Sequence, residues 1–197
     1  MKKFRIYAWP AYSTRKINPY NYIIYKHIEE EGYPVQDFRF NSTRELLIVL
    51  FSKTAGIFHI HWPTSNILAP KNFYIALYRV ILFFFFLKLI RISRKKVFWT
   101  VHNFDEHEVK FPVLQSIIHK ILYKNVQGFI SMNKAGMHLI ENRSALTAGK
   151  KISLIHHPHY KEYYSNTMSR KEARQQLNIF NDVFVPLIIL KSLSCCL

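Results

Sequence analysis

The stretch KVFWTVHN at residues 96–103 decides the fold class of this chain, because five β-favouring residues run directly into a histidine and an asparagine. An apolar run of this length with polar residues at both ends is typical of a strand buried on both faces of a parallel sheet. Upstream, IFHIHW at residues 57–62 has the same character and carries His59 and His61. Because ligands of open α/β sheets bind at the carboxyl ends of the strands, two strands that end in histidine predict a site there.

Around these two stretches, predicted strands and helices alternate along the chain. Further strands are predicted at residues 4–9, 35–40, 128–132 and 152–155, and further helices at residues 43–53, 73–93, 113–124, 134–142 and 169–177. About six alternations of strand and helix predict a doubly wound parallel sheet, which is the architecture of a single Rossmann-like α/β domain.

The first helix has a predicted start and a predicted buried stripe. Asn18 is a favourable cap, and Pro19 suits the first helical turn, where its missing N–H costs little. The buried stripe at helical spacing is predicted to consist of Tyr20, Ile23, Ile24, His27 and Ile28. Towards the other end of the chain, Ser169 and Glu172 have the spacing of a capping box.

The chain is strongly basic: 28 Lys and Arg against 12 Asp and Glu give a formal net charge of +16. Such an excess predicts an anionic partner, which is a phosphorylated ligand, an acidic membrane surface or nucleic acid. The two cysteines, Cys195 and Cys196, are adjacent and suit neither a loop-closing disulfide nor a zinc site. This cysteine usage predicts a reducing compartment, the cytoplasm.

Residues 73–92 are the most apolar part of the chain. They include the run VILFFFFL at residues 80–87, with Arg79 before it and Lys88 and Arg91 after it. A membrane-spanning helix needs about 20 largely apolar residues, and charge within it is costly, so a true span is not predicted. A buried helix and a helix lying at a membrane interface both remain open interpretations.

Three histidines are the main candidates for a site. His59 and His61 are two residues apart on a strand, so their side chains share one face. They are interpreted as metal ligands, as structural histidines or as contacts to a phosphate or sugar, and the lack of Asp or Cys at ligand spacing disfavours the metal. His102 is the stronger candidate, because it ends an apolar strand beside Asn103; the alternative is a buried, hydrogen-bonded histidine.

Two charged loops are further candidates. Asp105, Glu106 and Glu108 follow the His102 strand and either include a general base or form a solvated acidic loop. Arg15 and Lys16 precede the first helix, where they either hold a diphosphate near its positive end or are ordinary surface charge.

Four motifs, in this order, carry a resemblance to a known family. They are NPY at residues 18–20, IFHIHWP at 57–63, FWTVHN at 98–103 and LIHHPHY at 154–160, the last followed by EAR at 172–174. Over residues 4–185 the chain resembles the N-terminal half of bacterial group 1 (family 4-like) glycosyltransferases with the GT-B fold. Members of that family act in the assembly of exopolysaccharide and lipopolysaccharide.

The resemblance implies roles for the candidate residues. In the family the N-terminal Rossmann-like domain binds the acceptor, and a C-terminal domain binds the nucleotide-sugar donor. His102 matches the catalytic histidine that approaches the transferred sugar, and the loop after the first strand approaches the donor diphosphate. The substrate-binding residues are then expected to be Arg15, Lys16, Asn18, His59, His61, Asn103 and Glu106. Neither a metal ion nor a cofactor is expected.

The resemblance also predicts the domain organisation. Residues 1–165 are expected to form the acceptor-binding domain, residues 166–185 a linker and the start of a donor-binding domain, and residues 186–197 an atypical tail. Because the family pattern lapses after about residue 185, the chain is expected to be a truncated product that is inactive alone. Donor and acceptor meet in the cleft between the two domains, so one domain cannot complete the reaction.

The expected function is transfer of a sugar from a nucleotide-sugar to a lipid-linked or polysaccharide acceptor. The protein is then peripheral at the inner face of the plasma membrane, with the acceptor's polyprenyl chain near Phe83–Phe86 and its anionic diphosphate against the basic surface. The alternative is a non-catalytic basic module for an anionic membrane surface or nucleic acid. Nucleic acid is the weaker of these partners, because the basic residues are scattered rather than interleaved with aromatics.

Overall fold

The computed structural model describes residues 4–40, 42–52, 54, 56–93, 95–103, 110–161, 163–164, 167–180 and 183–184. The chain divides into two compact units, Met1–Tyr160 and Lys161–Leu197. The candidate Glu106, its neighbours Asp105 and Glu108, and the predicted tail at 186–197 lie outside the described residues.

Six strands and eight helices are formed by the described residues. The strands are β1 (Arg5–Trp9), β2 (Val35–Asp37), β3 (Gly56–Ile60), β4 (Lys96–Val101), β5 (Gly128–Ser131) and β6 (Lys151–Leu154). The helices are α1 (Tyr20–Glu30), α2 (Thr43–Phe51), α3 (Pro63–Ile67), α4 (Phe73–Ile92), α5 (Pro112–Asn125), α6 (Lys134–Glu141), α7 (Ser144–Thr147) and α8 (Arg170–Gln176).

The strands form one sheet in the order β2-β1-β3-β4-β5-β6, and every neighbouring pair is parallel. This all-parallel sheet flanked by helices confirms the predicted α/β class and is consistent with a single Rossmann-like domain. The winding direction reverses between β1 and β3, because β2 lies on one side of β1 and β3 on the other. In sheets of this kind, ligands bind at the carboxyl ends of the strands beside such a reversal.

Alternation along β1 divides the core between the two faces of the sheet. Tyr7 and Trp9 belong to the larger apolar cluster, which also contains the buried side chains of α2, α4 and α5. Ile6 and Ala8 belong to a smaller cluster with Tyr25 of α1. We call these two sides the apolar face and the histidine face, because His59 lies opposite Ala8 in the register of β1 and β3.

Helix α1 differs in part from its prediction. Its buried residues are Tyr20, Asn21 and Tyr25. His27, predicted to be buried, instead lies at the surface, 2.9 Å from the carboxylate of Glu30. The helix begins at Tyr20, and the Oδ1 atom of Asn18 accepts a hydrogen bond of 3.0 Å from the backbone N–H of Tyr20. Asn18 therefore bonds the first N–H of the helix, but the N-cap position itself is held by Pro19, one residue later than predicted. The stripe prediction is wrong at His27 and omitted Tyr25.

Helix α4 is long and apolar enough to cross a membrane, judged by length and composition alone. One side of it is buried in the apolar cluster through Ala76, Val80, Phe83, Phe86, Leu87 and Ile90. The other side leaves apolar residues exposed: Phe73, Tyr74, Ile75, Tyr78, Ile81, Leu82, Phe84, Phe85, Leu89 and Ile92. The helix is thus a core element of the first unit that also presents an apolar surface.

The second unit contains α8. The hydroxyl of Ser169 accepts a 3.3 Å hydrogen bond from the backbone N–H of Glu172, and the Glu172 carboxylate accepts one of 2.7 Å from the backbone N–H of Ser169. The predicted capping box is confirmed by this reciprocal pair.

Candidate functional site

The two predicted histidine positions meet at the carboxyl edge of the sheet. His61 follows β3, and His102 follows β4, which is the neighbouring parallel strand. The Nδ1 atom of His61 lies 3.0 Å from the Nε2 atom of His102, so one ring donates a hydrogen bond to the other. The prediction that His61 and His102 lie together at this edge is confirmed.

Behind this pair, a line of hydrogen bonds runs into the protein between the sheet and α1. The Tyr25 hydroxyl lies 2.7 Å from Nε2 of His61 and 2.8 Å from Nδ1 of His59. Nε2 of His59 lies 2.8 Å from Oγ1 of Thr100. We call the connected set Thr100–His59–Tyr25–His61–His102 the histidine chain. It lies on the histidine face because His59 and His61 are two residues apart and share that face.

Burial keeps the histidine chain uncharged. Removal from water disfavours the charged imidazolium and lowers the pKa of His59 to about 4 and that of His102 to about 3. Burial also lowers the pKa of His61 well below its ordinary value, with further lowering by His59 and His102. The same loss of hydration raises the pKa of the Tyr25 phenol. At neutral pH all three imidazoles and the phenol are therefore neutral.

Aromatic rings surround His102, the outer end of the histidine chain. The Trp62 ring is stacked on His102, with centroids 4.0 Å apart and an angle of 22° between the planes. Tyr20 contacts His102 edge-on at 5.0 Å and lies 4.7 Å from the ring of His157. Trp62 adopts the left-handed backbone conformation, with φ at 41°. Such a conformation is costly for a large residue, and strained residues of this kind cluster at functional sites.

A small pocket lies beside His102 at the outer end of the histidine chain. It is lined by Trp62, Pro63, Thr64, Trp99, Thr100, His102, Asn103 and His119. Among the residues that the structure describes, none hydrogen-bonds Nδ1 of His102, whose Nε2 is taken by His61. Nδ1 of His102 therefore has no partner among the described residues, and His102 lines the pocket together with Asn103.

Asn18 connects the start of α1 to the segment that follows β6. Its Oδ1 atom accepts a hydrogen bond of 3.3 Å from the Tyr160 hydroxyl, which also lies 3.2 Å from Nε2 of His157. Because Tyr20 touches both His157 and His102, Asn18 lies on the border of the aromatic cluster. Its binding of substrate stays a prediction.

Arg15 and Lys16 lie in the loop between β1 and α1, and both side chains are exposed. The carboxylate of Asp37 accepts hydrogen bonds from the backbone N–H groups of Ala11 and Ser13, which fixes the first part of this loop. The guanidinium carbon of Arg15 lies 3.9 Å from the centre of the Tyr22 ring on α1. The loop follows β1 at the same sheet edge as His61, and diphosphate binding by its two cations stays a prediction.

His59 and His61 were predicted to bind substrate, and their hydrogen bonds indicate a different role. Both ring nitrogens of each residue are engaged within the protein, by Thr100 and Tyr25 for His59 and by Tyr25 and His102 for His61. A ring whose two nitrogens are already bonded has none to offer a ligand. The two rings connect His102 to Tyr25 and Thr100, and substrate binding by His59 and His61 stays a prediction.

Sequence reasoning missed the residues that complete the site, namely Tyr20, Tyr25, Trp62 and Thr100. The spacing of Asn21, Tyr25 and Ile28 on α1 was an available signal for a buried face of mixed polarity. Thr100 offered no signal, because a β-branched residue in an apolar strand has its ordinary explanation in packing.

The described residues contain no group of three or more His, Cys, Asp or Glu side chains placed to hold a metal ion. In comparisons with family models, curated proteins and solved structures, none matches this chain. The resemblance to group 1 glycosyltransferases therefore stays a prediction from the four sequence motifs.

Proposed function

We propose that the first unit is the acceptor-binding domain of a glycosyltransferase, which takes part in moving a sugar from a nucleotide-sugar to a lipid-linked or polysaccharide acceptor. The observation that carries this proposal is the free ring nitrogen of His102, held beneath Trp62 at the carboxyl edge of a parallel sheet. That edge, beside the reversal of winding, is where sheets of this class bind ligands. The four sequence motifs support the same assignment.

The side chains of the pocket are better suited to holding a sugar than to catalysing a reaction that needs a strong acid or base. The Trp62 ring lines the pocket and offers an apolar surface, and neutral His102 offers one directional hydrogen bond. Because its pKa is lowered to about 3, His102 is not a proton donor as imidazolium near pH 7. Its role is to hold and orient an oxygen of the reacting sugar, an interaction that accelerates transfer where it strengthens in the transition state.

Charge and exposed apolar surface support a lipid-linked acceptor. A net charge of +16 favours an anionic headgroup such as a diphosphate. The exposed side of α4 offers rings such as Phe84 and Phe85 to a polyprenyl chain, with Lys88 and Arg91 on the same helix near anionic lipid. This combination favours action at the inner face of the plasma membrane.

The test is vesicle flotation with and without a polyprenyl-diphosphate sugar in otherwise identical anionic vesicles. We expect the acceptor lipid to increase the bound fraction. His102→Ala should change that increment only modestly, because His102 is assigned to the transferred sugar, and it should lower the rate of sugar transfer about 10²–10³-fold where transfer is measured. His138→Ala is the matched control, since His138 is an exposed histidine on α6. Binding that is equal with and without the acceptor lipid would contradict the proposal.

That contrary result would favour a second candidate, a non-catalytic module for anionic membrane. The specific observation behind it is the exposed apolar side of α4, which needs no acceptor in order to enter a membrane interface. Under this candidate, Phe85→Asp would reduce flotation on plain anionic vesicles and His102→Ala would leave it unchanged. In the same assay, single-stranded nucleic acid is added as a competitor of the vesicles, which tests whether nucleic acid is the anionic partner.

A further inference from the structure

The hydrogen bonds of the histidine chain restrict where its protons lie. A neutral imidazole carries one N–H and one accepting nitrogen, and a phenol or an alcohol carries a single hydrogen. Tyr25 bonds both His59 and His61, so it donates to one of them and accepts from the other. Once that choice is made, the proton position on every other member follows. The chain therefore has two proton orders, one the reverse of the other.

In the first order, each member donates outward, towards the pocket. Thr100 donates to Nε2 of His59, Nδ1–H of His59 donates to Tyr25, and Tyr25 donates to Nε2 of His61. Nδ1–H of His61 then donates to Nε2 of His102. Every hydrogen inside the chain has an acceptor. His102 keeps its own N–H at Nδ1, the ring nitrogen without a partner among the described residues.

In the second order, each member donates inward. His102 donates from Nε2, and the order ends with Nε2–H of His59 donating to Thr100. The hydroxyl hydrogen of Thr100 then has no acceptor among the described residues, and Thr100 is 1% exposed. A buried donor without a partner is costly, so the outward order is preferred.

We propose that the histidine chain fixes His102 with its proton on Nδ1, so that the pocket presents an N–H donor and selects a ligand with a hydrogen-bond-accepting oxygen. Phosphate and sugar oxygens share this chemistry. Tyr25 and Thr100 are positioning residues in this arrangement, because they act on the ligand only through the proton on His102. The proton assignment stands on the hydrogen-bond pattern alone, and its use with a glycosyl acceptor rests on the proposed function.

Burial supports the assumption of one proton on each ring. The pKa of His59 is lowered to about 4 and that of His102 to about 3 by loss of hydration, so a second proton is absent near pH 7. Rings that remained charged would donate from both nitrogens and would abolish the distinction between the two orders.

The direct experiment is nitrogen NMR of the full chain with ¹⁵N-labelled histidine at pH 7.5, because protonated and unprotonated ring nitrogens have well-separated shifts. We expect protons on Nδ1 of His59, His61 and His102, with the Nδ1–H form of His102 exceeding the other form by about tenfold or more. His102 protonated mainly on Nε2 would overturn the proposal, and this measurement needs no variant.

Two variants test whether the histidine chain sets the position of the proton on His102. Tyr25→Phe removes the hydroxyl that sets the order at His61, and we expect the ratio of the two His102 forms to fall about tenfold. Tyr22→Phe removes a phenol hydroxyl from the same helix outside the chain and should leave the ratio unchanged. Thr100→Val removes the buried hydroxyl that favours the outward proton order, with little change of shape. It should also lower the ratio of the Nδ1–H form of His102 to the Nε2–H form. A ratio that stays constant in both chain variants would overturn the positioning role.

The ligand class is tested by titration at constant ionic strength with inorganic diphosphate, a free hexose and ammonium. We expect the Nδ1–H resonance of His102 to move with diphosphate or hexose, and not with ammonium, which only donates hydrogen bonds. A response to ammonium alone, or to none of the three, would overturn the ligand assignment. A response to diphosphate or hexose combined with acceptor-independent flotation would keep this inference and reject the proposed glycosyltransferase function.

Discussion

The two faces of the sheet are held together by different physics. On the apolar face, the rings of Phe38, Phe58 and Phe86 pack around one another with centroids 5.0–5.1 Å apart. On the histidine face, directional hydrogen bonds connect Tyr25 to His59 and His61. Burial of apolar area stabilises a fold without specifying atoms, whereas a buried polar chain is stable only when each donor meets an acceptor. The first face therefore supplies stability and the second specifies a site.

The largest expected difference between the faces is in their response to acid. A folded-state pKa below the usual value means that the unfolded chain binds protons first, so stability is full above about pH 6.5 and falls as the pH approaches the folded pKa. For His59 and His102, with folded pKa values of about 4 and about 3, we expect a loss of about 1.4 kcal/mol per pH unit each. Urea unfolding at pH 6.5 and 5.0 should differ by about 3 kcal/mol from these two histidines, because an unfolded imidazole is already half protonated at pH 6.5, and His61 adds to the loss.

A variant isolates the histidine contribution from that of other acid-sensitive groups. His102→Asn should reduce the mean slope of unfolding free energy against pH by about 1 kcal/mol per unit between pH 6.5 and 5. His138→Asn, at an exposed position on α6, is the matched control. Equal slopes for both variants would show that His102 is not held neutral by burial.

On the apolar face, removing one ring should be costly at every pH. Phe86 is 4% exposed and contacts the rings of Phe38, Phe40 and Phe58. Phe86→Ala should lower the unfolding free energy by about 3–5 kcal/mol, from lost burial and the cavity left behind. Phe85→Ala, at a neighbouring α4 position that is 56% exposed, should change it by about 0.5 kcal/mol or less. Similar losses from the two substitutions would mean that α4 does not pack as described.

A smaller loss is expected when the hydroxyl is removed from the histidine face. Tyr25→Phe keeps the buried ring but leaves Nδ1 of His59 and Nε2 of His61 without a partner. Because both orphaned groups stay buried, the unfolding free energy should fall by about 1–3 kcal/mol. Urea denaturation at pH 7.5 measures this. No loss of stability would indicate that water replaces the phenol, which would break the contrast between the faces.

The matching substitution on the apolar face should have the smallest effect. Tyr7 is fully buried there, and among the described residues its hydroxyl has no hydrogen-bond partner. Tyr7→Phe removes an unsatisfied polar atom, so it should be neutral or should stabilise the protein by up to about 1 kcal/mol. Urea denaturation beside Tyr25→Phe checks the sign. A loss as large as that of Tyr25→Phe would show that Tyr7 has a partner.

The strands that carry the site could be predicted because their pattern is local. Residues 57–62 and 96–103 each combine an apolar run with a terminal histidine, and two such strands in a parallel sheet must end at the same edge. Helix α1 was harder, because its buried face includes Asn21 and Tyr25, which apolar periodicity does not select. His27 was chosen in their place although it lies on the exposed side.

The sequence by itself determined the α/β class, the parallel direction of the main strands and the position of His61 and His102 at their carboxyl edge. These features follow from alternation, strand composition and chirality, which act over a few residues at a time. Only the tertiary structure decided that Tyr25 of α1 and Thr100 of β4 reach the same two histidines. These hydrogen bonds join residues 34–41 positions apart in the sequence, so they depend on how α1 and the neighbouring strands pack together. No local sequence pattern specifies that packing.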